Sequence, residues 1–559
     1  MFKRLILLVV ILLAVLQIAW FGVSMPAFAE SVDTAWVRMY NGPGTDYDEA
    51  YVITVDDSGN VFVAGYSYYS ATSEDYVTIK YFPDGDTAWV RTYNGPGNGD
   101  DEVNAIAVDD SGNVYVTGYS TGSATEYDYA TIKYLPNGDT AWVRRYNGPG
   151  NDRDQANAIA VDDSGYVYVT GRSDGSGTNG DYATIKYYPS GDTVWIRRYS
   201  EAGNSYDLAY SITVDNSSHV YVTGTTYNSV TLNDYTTIKY YPNGDTAWVR
   251  VYNDPANGSD IAKAIALDHA NNVYVSGNSS GTENGYVTIK YYPDGDTAWI
   301  RRYNGSGSEH DIVYAIAVDD SNRLYVTGYS YDSGTLADYV TIKYYSNGDT
   351  AWLRTYNGPG NSNDYANAIA IDDSNNVYVT GYSYNSGTSD DYTTIKYYPN
   401  GDTAWVRTYN GPGNDYDQAY DIAVDGSGSV YVIGYSVGDG TGEDFATIKY
   451  VQKTSDVEEE TERSEKPYEF DLSQNYPNPF NPTTKIEFTL SKSGFVTLQI
   501  YDIVGKKVRT LVSENLSSGY KSVIWDGKNE EGKEVASGIY FYQLKMGDFS
   551  EPKKMLLLK

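Results

Sequence analysis

One aspartate and one arginine recur at fixed positions in eight copies of a repeated segment of this 559-residue chain. Carboxylates can act as general acids or bases, bind a cation, or close a loop. A residue needed once for chemistry does not have to occur eight times, whereas a residue that holds a loop does. We therefore predict that these aspartates cap the loop entering an inner strand, or pair with the recurring arginines or with Lys80 and its counterparts. The aspartates are Asp48, Asp101, Asp154, Asp207, Asp260, Asp311, Asp364 and Asp417, and the arginines are Arg38, Arg91, Arg144, Arg197, Arg250, Arg301, Arg354 and Arg407.

The chain has little material for nucleophilic catalysis. It has no cysteine, and its three histidines, His219, His269 and His310, lie in different repeats away from any Ser nucleophile pattern. Triad chemistry and His-rich metal sites are therefore disfavoured. A pair of carboxylates of the glycosidase type stays open, but it needs two acids in distinct environments. Near-identical repeats predict a nearly symmetric surface instead, so we expect a protein without enzymatic activity.

Clustered acids such as Asp56-Asp57 and Asp415 with Asp417 could also bind Ca²⁺. No EF-hand spacing and no Gly-Gly-x-Gly-x-Asp repeat occurs in the sequence. The run Asp56-Asp-Ser-Gly-Asn60 is better explained as a hairpin turn, because these residues supply turn conformations and local hydrogen bonds. We predict no cofactor, and structural calcium stays an alternative.

The residues that position these side chains form a repeat of about 53 residues. Four short segments with alternating apolar and polar residues fill each repeat, which favours four antiparallel strands and hence a propeller blade. In the second repeat they are Ala105 to Val108, the expected inner strand, then Val114 to Gly118, Tyr129 to Tyr134 and Ala141 to Tyr146. The period is read from the tryptophans at positions 36, 89, 142, 195, 248, 299, 352 and 405, a step of 53 that is interrupted once by 51.

The two ends of the repeat region complement each other. The chain begins with a strand of the outer type, Thr34 to Tyr40, and its last repeat ends with a third strand, Phe445 to Tyr450. Pairing of these two strands would remove the exposed sheet edges of an open array. The sequence therefore predicts an all-β chain whose residues 30–452 form an eight-bladed β-propeller closed by the N-terminal strand.

The repeats resemble the SBBP family of bacterial β-propeller repeats. The matching segments are Ala105 to Asp109, Gly112 to Gly118 and Lys133-Tyr134, and the resemblance extends over roughly residues 31 to 452. It implies the fold and no activity, so no catalytic residue is carried over.

Two connections in each repeat are constant and two vary. The constant turns, such as Asp109-Asp-Ser-Gly-Asn113 and Pro136-Asn-Gly-Asp139, belong on one rim, and the longer loops on the other, which we call the variable rim. Binding residues concentrate on variable loops held by a rigid scaffold, and Tyr, Ser, Gly and Asn suit adaptable recognition. We predict contacts to a glycan or protein ligand from Tyr68, Tyr69, Tyr227, Tyr331 and Tyr384.

The N-terminus indicates export. Lys3-Arg4, an apolar run from Leu5 to about Phe21 and Ala27-Phe-Ala29 have the order of a secretory signal, so we predict a signal peptide over 1–29 and no membrane span after its removal. The net charge of −34 disfavours nucleic acid as a partner.

After the repeats, residues 453–469 are polar and acid-rich, which is typical of a linker. Residues 470–559 contain short alternating segments, among them Lys485 to Leu490 and Val496 to Tyr501, which predict a small β-sandwich.

This last segment resembles the C-terminal sorting domain of type IX secretion cargo and its Ig-like relatives of the flagellar hook-cap type. Four stretches carry the resemblance: Asn475-Tyr-Pro-Asn-Pro-Phe-Asn-Pro482, Ile500-Tyr-Asp-Ile-Val-Gly505, Ala536-Ser-Gly-Ile-Tyr-Phe-Tyr542 and the terminal residues 553–559. The resemblance implies that the secretion machinery recognises this domain and that the protein is secreted or held on the outer membrane exterior. The residues that match the motif are Asn475, Pro477, Asn478, Pro479, Gly505, Gly538 and Tyr540.

The sequence thus favours an exported, non-enzymatic propeller that binds a surface, glycan or protein partner. Two alternatives stay open: a secreted polysaccharide hydrolase or lyase, and a structural surface-layer component. A unique cluster of acids or histidines on the variable loops would favour the hydrolase.

Overall fold

A computed structural model describes residues 31–44, 47–201, 206–281, 284–307, 311–332, 336–438, 440–453, 471–472, 475, 478, 480, 482–492, 494–516, 519–547 and 549–558. The predicted signal peptide and nearly all of the predicted linker lie outside these residues. The chain divides into two compact units, Met1–Asp456 and Val457–Lys559, and each is described by itself below.

The regular elements of the described residues are β-strands. The alternation of Val, Ile, Thr and Tyr with polar residues places successive side chains on opposite faces, as strands require. No helix of the described residues is long and apolar enough to cross a membrane.

The strands of the first unit are β1 (Ser31–Tyr40), β2 (Asp48–Val55), β3 (Val61–Tyr69), β4 (Ser73–Tyr81), β5 (Thr87–Tyr93), β6 (Asp101–Val108), β7 (Val114–Thr121), β8 (Tyr127–Tyr134), β9 (Thr140–Tyr146), β10 (Asp154–Val161), β11 (Val167–Gly175), β12 (Thr178–Tyr187), β13 (Thr193–Tyr199), β14 (Leu208–Val214), β15 (Val220–Asn228), β16 (Leu232–Tyr240), β17 (Thr246–Tyr252), β18 (Asp260–Leu267), β19 (Val273–Ser279), β20 (Gly285–Tyr291), β21 (Thr297–Tyr303), β22 (Ile312–Val318), β23 (Leu324–Asp332), β24 (Leu336–Tyr344), β25 (Thr350–Tyr356), β26 (Asp364–Ile371), β27 (Val377–Asn385), β28 (Ser389–Tyr397), β29 (Thr403–Tyr409), β30 (Asp417–Val424), β31 (Val430–Val437) and β32 (Glu443–Lys453).

These strands form four-stranded antiparallel sheets, as a propeller of many blades requires. The first sheet is β2-β3-β4-β5, and each following group of four strands forms the next sheet up to β26-β27-β28-β29, the seventh. The remaining strands form the sheet β30-β31-β32-β1, which we call the eighth. In it β1 pairs antiparallel with β32, from Ser31 opposite Lys453 to Tyr40 opposite Phe445, which is the pairing that the sequence predicts.

The core of this unit lies between neighbouring sheets. Phe62 and Trp89 of the first sheet pack with Val114, Ile132 and Tyr134 of the second, and equivalent clusters recur between the other sheets. Tyr76 is fully buried and donates its hydroxyl proton to the carbonyl oxygen of Ala130 at 3.1 Å. Because a buried hydroxyl needs a hydrogen-bond partner, this bond fixes the position of the first sheet relative to the second.

The first strand of each sheet carries a β-bulge. In the first sheet Ala50 lies opposite Gly65 and Val52 opposite Ala64, so Tyr51 is the extra residue. The carbonyl oxygen of Glu49 comes so close to Gly65 that an added Cβ would lie 1.9 Å from it. The recurring glycine of the second strand is therefore required by the bulge, which turns the side chains of residues 49–51.

The second unit contains a three-stranded and a four-stranded sheet. Their strand orders are β33-β34-β37 and β36-β35-β38-β39. Side chains of both sheets surround the fully buried Trp525, which contacts the rings of Phe480 and Tyr540. The strands are β33 (Asp471–Leu472), β34 (Thr484–Leu490), β35 (Gly494–Tyr501), β36 (Lys507–Leu516), β37 (Gly519–Trp525), β38 (Gly538–Met546) and β39 (Phe549–Leu557).

Candidate functional site

The recurring aspartates close the loops that enter the first strand of each sheet. Asp101 accepts hydrogen bonds from the backbone N–H of Gly95 at 2.5 Å and of Thr121 at 3.0 Å. All eight aspartates accept a bond from the backbone N–H six residues earlier in the chain. Burial raises the pKa of Asp154, Asp364 and Asp417 to about 6. The position of these side chains is that of loop caps.

The recurring arginines bind backbone carbonyl oxygens of the neighbouring sheet rather than the recurring aspartates. The guanidinium of Arg91 donates from Nε to the carbonyl oxygen of Gly138 in the next sheet at 2.6 Å. Six other arginines make the same bond, and Arg407 donates to the carbonyl oxygen of Val32 instead. Both residue types thus stabilise the scaffold, through different contacts.

The five tyrosines predicted to contact a ligand lie at the variable rim. Tyr68, Tyr227, Tyr331 and Tyr384 occupy the same register position of the first, fourth, sixth and seventh sheets, and Tyr69 is the next residue after Tyr68. Tyr227 is 36% and Tyr384 37% exposed. Tyr68 and Tyr69 share the first sheet, whereas Tyr227, Tyr331 and Tyr384 each belong to a different sheet. They present separate aromatic surfaces.

The structure brings a different group of side chains together. Glu49 accepts hydrogen bonds from Tyr66 at 2.6 Å, from Tyr51 at 3.0 Å and from Tyr420 at 3.5 Å. Tyr51 and Tyr420 are bulge residues of the first and eighth sheets, and their ring centroids are 5.3 Å apart. Burial and the neighbouring carboxylate of Glu49 raise the pKa of Glu443 to about 7. We call Glu49, Tyr51, Tyr66, Tyr420 and Glu443 the acid–tyrosine cluster.

A second pair of acids lies between the first and second sheets. Burial, together with a hydrogen bond to and the charge of Glu102, raises the pKa of Glu74 to about 8. Asp100, which adds to this effect, accepts a hydrogen bond from the hydroxyl of Tyr127 at 3.4 Å. The ring of Tyr127 lies 4.6 Å from that of Tyr119. The Glu74 carboxyl therefore holds its proton more tightly than an exposed glutamate does.

Both groups of acids occupy positions that differ between otherwise near-identical repeats. On the opposite side of the unit the equivalents of Glu49 are apolar, and the bulge residue Lys263 lies 4.1 Å above the ring of Tyr210. These acids can be found from the sequence by comparing the repeats position by position, because this comparison separates the positions that vary from those that are constant. The equivalents of Glu49 are Glu102, Gln155, Leu208, Ile261, Ile312, Tyr365 and Gln418, and those of Tyr51 are Asn104, Asn157, Tyr210, Lys263, Tyr314, Asn367 and Tyr420.

The rim of constant turns carries small polar cavities. One of them, of about 460 Å³, is lined by the turns that begin at Asp215, Asp268 and Asp319. Asp109, the first residue of its turn, accepts bonds from Ser111, Asn113 and Tyr115, so its oxygens are used within the turn. Among the described residues, no group of three or more His, Cys, Asp and Glu is placed to hold a metal ion.

The histidines do not take part in either acid group. His219 lies 3.0 Å from the carboxylate of Asp215 in its own turn, and His269 lies 3.2 Å from Asp320 at an exposed position. His310 lies outside the described residues.

In the second unit, the predicted motif residues stabilise the sandwich. Asn475 donates from its backbone N–H to the hydroxyl of Tyr542 at 2.8 Å, and Asn478 accepts a bond from the backbone N–H of Leu556. Tyr540 donates to the carbonyl oxygen of Ala536 at 2.7 Å, and Gly505 has a positive φ of 80° in a turn. Gly538 begins β38, whereas Pro477 and Pro479 lie outside the described residues.

Two protein families match parts of the chain. The family described as "Beta-propeller repeat" matches residues 88–123, 141–177 and 354–387, and the family described as "FlgD Ig-like domain" matches residues 475–548. The first unit therefore contains SBBP propeller repeats, and the second is an Ig-like domain. No family match identifies a sorting domain, and no curated protein matches the chain.

Several solved structures are similar to the chain at low identity. PorZ, a surface component of the type IX secretion system of Porphyromonas gingivalis, is 13% identical over 93% of this chain and 75% of its own, with a TM-score of 0.31. A Dyadobacter fermentans protein of unknown function is 9% identical over 76% and 99%, with a TM-score of 0.38. An α-L-arabinanase of Penicillium chrysogenum, solved with arabinobiose, is 8% identical over 52% and 91%, with a TM-score of 0.33.

Proposed function

We propose that this chain is an exported eight-bladed β-propeller that binds a glycan or a glycan-bearing protein at its variable rim, without enzymatic activity. The eighth sheet would close the ring, since β1 supplies its fourth strand and β2 contacts both β6 and β30. The signal peptide predicted over residues 1–29 supports export. The resemblance of residues 475–559 to sorting domains supports recognition by a secretion system and a location at the cell exterior.

The acid–tyrosine cluster carries the proposal. It combines Glu49 with three tyrosine hydroxyls from two sheets, and the ring of Tyr51 lies 5.3 Å from that of Tyr420 and 5.7 Å from that of Tyr66. Tyrosine faces pack against the apolar faces of sugar rings, and carboxylates accept hydrogen bonds from sugar hydroxyls. Because no other sheet combines these side chains among the residues that the structure describes, the cluster gives an otherwise repetitive surface one defined binding position.

A glycan array and polysaccharide-retardation gels with the full secreted chain test this function. Tyr420→Ala and Tyr51→Ala should weaken saturable binding at least tenfold. Tyr241→Ala, at an exposed constant turn of the fourth sheet, is the matched control and should bind as the unchanged chain does. If Tyr68→Ala, Tyr69→Ala and Tyr384→Ala abolish binding and Tyr420→Ala does not, the binding surface is the outer loops rather than the cluster.

The Glu74 and Glu102 pair favours a second candidate, a secreted polysaccharide hydrolase. A carboxyl with a raised pKa, such as that of Glu74, beside a second carboxyl group is the arrangement of a general acid and its partner. Release of reducing ends from a bound polysaccharide, lost in Glu74→Gln and in Glu102→Gln, would favour this function. Binding without release, unaffected by both substitutions, would favour the binding protein.

A further inference from the structure

The acid–tyrosine cluster continues into tyrosines on the neighbouring sheets. In the first sheet Glu49 lies opposite Tyr66, and the position of Tyr66 is again tyrosine in the second, sixth, seventh and eighth sheets. In the third, fourth and fifth sheets this position is arginine, threonine and asparagine. The tyrosines therefore lie on one side of the unit, near the variable rim. They are Tyr119, Tyr329, Tyr382 and Tyr435, and the residues that replace them are Arg172, Thr225 and Asn278.

The tyrosine rings of the sixth and seventh sheets contact one another. The ring centroid of Tyr329 lies 5.9 Å from that of Tyr314 and 4.6 Å from that of Tyr365. The ring of Tyr365 in turn lies 5.2 Å from that of Tyr382. Tyr331, one of the five tyrosines predicted to contact a ligand, lies 5.7 Å from Tyr329. Five rings from two sheets thus form one aromatic surface.

This surface reaches the acid–tyrosine cluster at the eighth sheet. Burial, the carboxylate of Glu49 and the phenol of Tyr382 raise the pKa of Tyr420, so the tyrosines of the seventh and eighth sheets interact. The ring of Tyr420 lies 5.8 Å from that of Tyr435 in its own sheet and 5.3 Å from that of Tyr51 in the first sheet. The tyrosines therefore extend over four consecutive sheets. We call Tyr314, Tyr329, Tyr365, Tyr382, Tyr420, Tyr435, Tyr51 and Tyr66 the tyrosine arc.

The arc presents part of its aromatic area to solvent. Tyr314 is 43% exposed, and Tyr51, Tyr329, Tyr365 and Tyr420 are half-buried. A half-buried ring is held in place by its neighbours and still offers a face or an edge to a ligand. Because it is already ordered, it loses little side-chain freedom on binding.

The equivalent side chains outside the arc bind their own scaffold instead. Thr225 of the fourth sheet donates its hydroxyl proton to the carbonyl oxygen of Asp260 at 3.2 Å. Asn278 of the fifth sheet accepts a hydrogen bond from the backbone N–H of Val313 at 2.7 Å. These short side chains offer no aromatic surface, so the arc is restricted to one side of the unit.

The charged groups beside the arc are carboxylates that already accept hydrogen bonds from neutral donors. Glu49 accepts bonds from tyrosine hydroxyls, and Asp390 accepts one from the side-chain amide of Gln418 at 2.8 Å. Burial and the charge of Asp390 raise the pKa of Tyr382, which places this carboxylate beside the arc. An acidic glycan would be repelled here, because like charges brought together on binding cost free energy. Sugar hydroxyls are neutral donors of the kind that these carboxylates already accept.

We propose that the tyrosine arc binds a linear, uncharged polysaccharide, with successive sugar units on successive rings from the sixth sheet to the first. This ligand class rests on the proposed glycan-binding function and narrows it. The contacting rings are 4.6 to 5.9 Å apart, which is comparable to the length of one sugar unit in an extended chain. A single terminal sugar would need only the acid–tyrosine cluster, whereas a chain can occupy several positions of the arc at once.

A series of oligosaccharides of increasing length tests the proposal in the full chain. Calorimetric titration with cello-, xylo- and manno-oligosaccharides, each from the disaccharide to the hexasaccharide, measures the affinity. In at least one series the affinity should rise about tenfold or more with length, because each added unit reaches a further ring. Oligogalacturonates and chitosan oligosaccharides of the same lengths are the acidic and basic comparisons, and they should bind more weakly.

Two tyrosines at the same register position distinguish the arc from the rest of the unit. Tyr314 and Tyr210 are the bulge residues of the sixth and fourth sheets. Tyr314→Ala removes the ring at the end of the arc far from Glu49, and it should weaken hexasaccharide binding about tenfold. Disaccharide binding at the acid–tyrosine cluster should stay as it is. Tyr210→Ala is the matched control and should leave both affinities unchanged, with the melting temperature of each variant confirming the fold.

One result would overturn the proposal and leave the glycan-binding function standing. It is a hexasaccharide that binds no more tightly than the disaccharide while Tyr420→Ala still weakens both, since the ligand would then be the end of a glycan. Tighter binding of the acidic or the basic series would show that the ligand is charged. If none of the neutral series binds, the arc does not hold such a chain, and a negative glycan array as well would overturn the proposed function.

Discussion

Trp89 donates a hydrogen bond from its indole Nε1 to the carbonyl oxygen of Pro136 at 3.2 Å, across the gap between the first and second sheets. The ring also covers Gly138, where an added Cβ would lie 2.8 Å from it. Gly138 has a positive φ of 86°, so the turn both requires glycine and leaves room for the indole. The tryptophan and the turn, 47 residues apart, thus form one contact that repeats between sheets.

Trp142→Phe should destabilise the propeller more than Trp405→Phe does. The expected difference is ~1 kcal/mol, which is the typical net contribution of one hydrogen bond. Trp142 Nε1 donates to the carbonyl oxygen of Pro189 at 3.1 Å, whereas Trp405 Nε1 is buried without a partner among the described residues. Both changes remove the same ring area, so their difference isolates the bond. Urea unfolding followed by tryptophan fluorescence measures it; equal losses would contradict the role of the bond.

Gly118→Ala should destabilise the chain by several kcal/mol, or prevent folding, because the bulge leaves no room for a Cβ. That atom would lie 1.9 Å from the carbonyl oxygen of Glu102 and 2.9 Å from the hydroxyl of Tyr76. Overpacked positions of this kind typically cost ~1–3 kcal/mol or more.

Gly426→Ala is the matched control, since no atom lies within 4 Å of its added Cβ. It should leave the thermal midpoint unchanged. A similar midpoint in both variants would mean that the bulge relaxes easily.

The sequence predicts the scaffold well because the scaffold repeats. The period of the tryptophans, the alternation within strands and the unpaired ends at Thr34 and Phe445 each follow from local rules. The acid–tyrosine cluster is different, since Glu49 and Tyr420 are 371 residues apart and meet only when the two ends pair. The cluster is difficult to predict because the positions that vary here, such as 49 and 51, lie in strands, whereas the sequence directs attention to the variable loops.

The function of the recurring aspartates could be predicted only in outline. Two alternatives followed from the sequence, capping and pairing with a cation, and spacing alone does not separate them. In the structure Asp101 accepts backbone N–H bonds, and Arg91 reaches the neighbouring sheet. The side-chain directions that decide between these alternatives depend on how adjacent sheets pack.

The stability of the propeller should fall as the pH rises from 6 to 8. The pKa of Glu74 is raised from 4.5 to about 8 and that of Glu443 to about 7, so the folded state holds protons that the unfolded state has released. When the folded state binds more protons than the unfolded state, the free energy of unfolding decreases as the pH rises. This loss continues until the pH passes the pKa of the group in the folded state.

Glu74→Gln copies the protonated carboxyl and should flatten this dependence, which melting temperatures at pH 6, 7 and 8 would show. Asp57→Asn, at an exposed turn position, is the control and should leave the slope as it is. A slope unchanged in Glu74→Gln would mean that its carboxyl is ionised throughout.

Deletion of residues 31–40 should open the propeller at the eighth sheet. β32 would lose the strand that pairs with it from Ser31 to Tyr40, and Arg407 would lose the carbonyl oxygen of Val32, which it binds at 2.7 Å. An exposed strand edge promotes association between chains, so light scattering should detect oligomers. A synthetic peptide of residues 31–40 should restore the monomer, whereas a scrambled peptide should not, because only the native order places Trp36 beside Tyr81 and Tyr431. A truncated chain that stays monomeric with an unchanged melting temperature would show that β1 does not hold the ring closed.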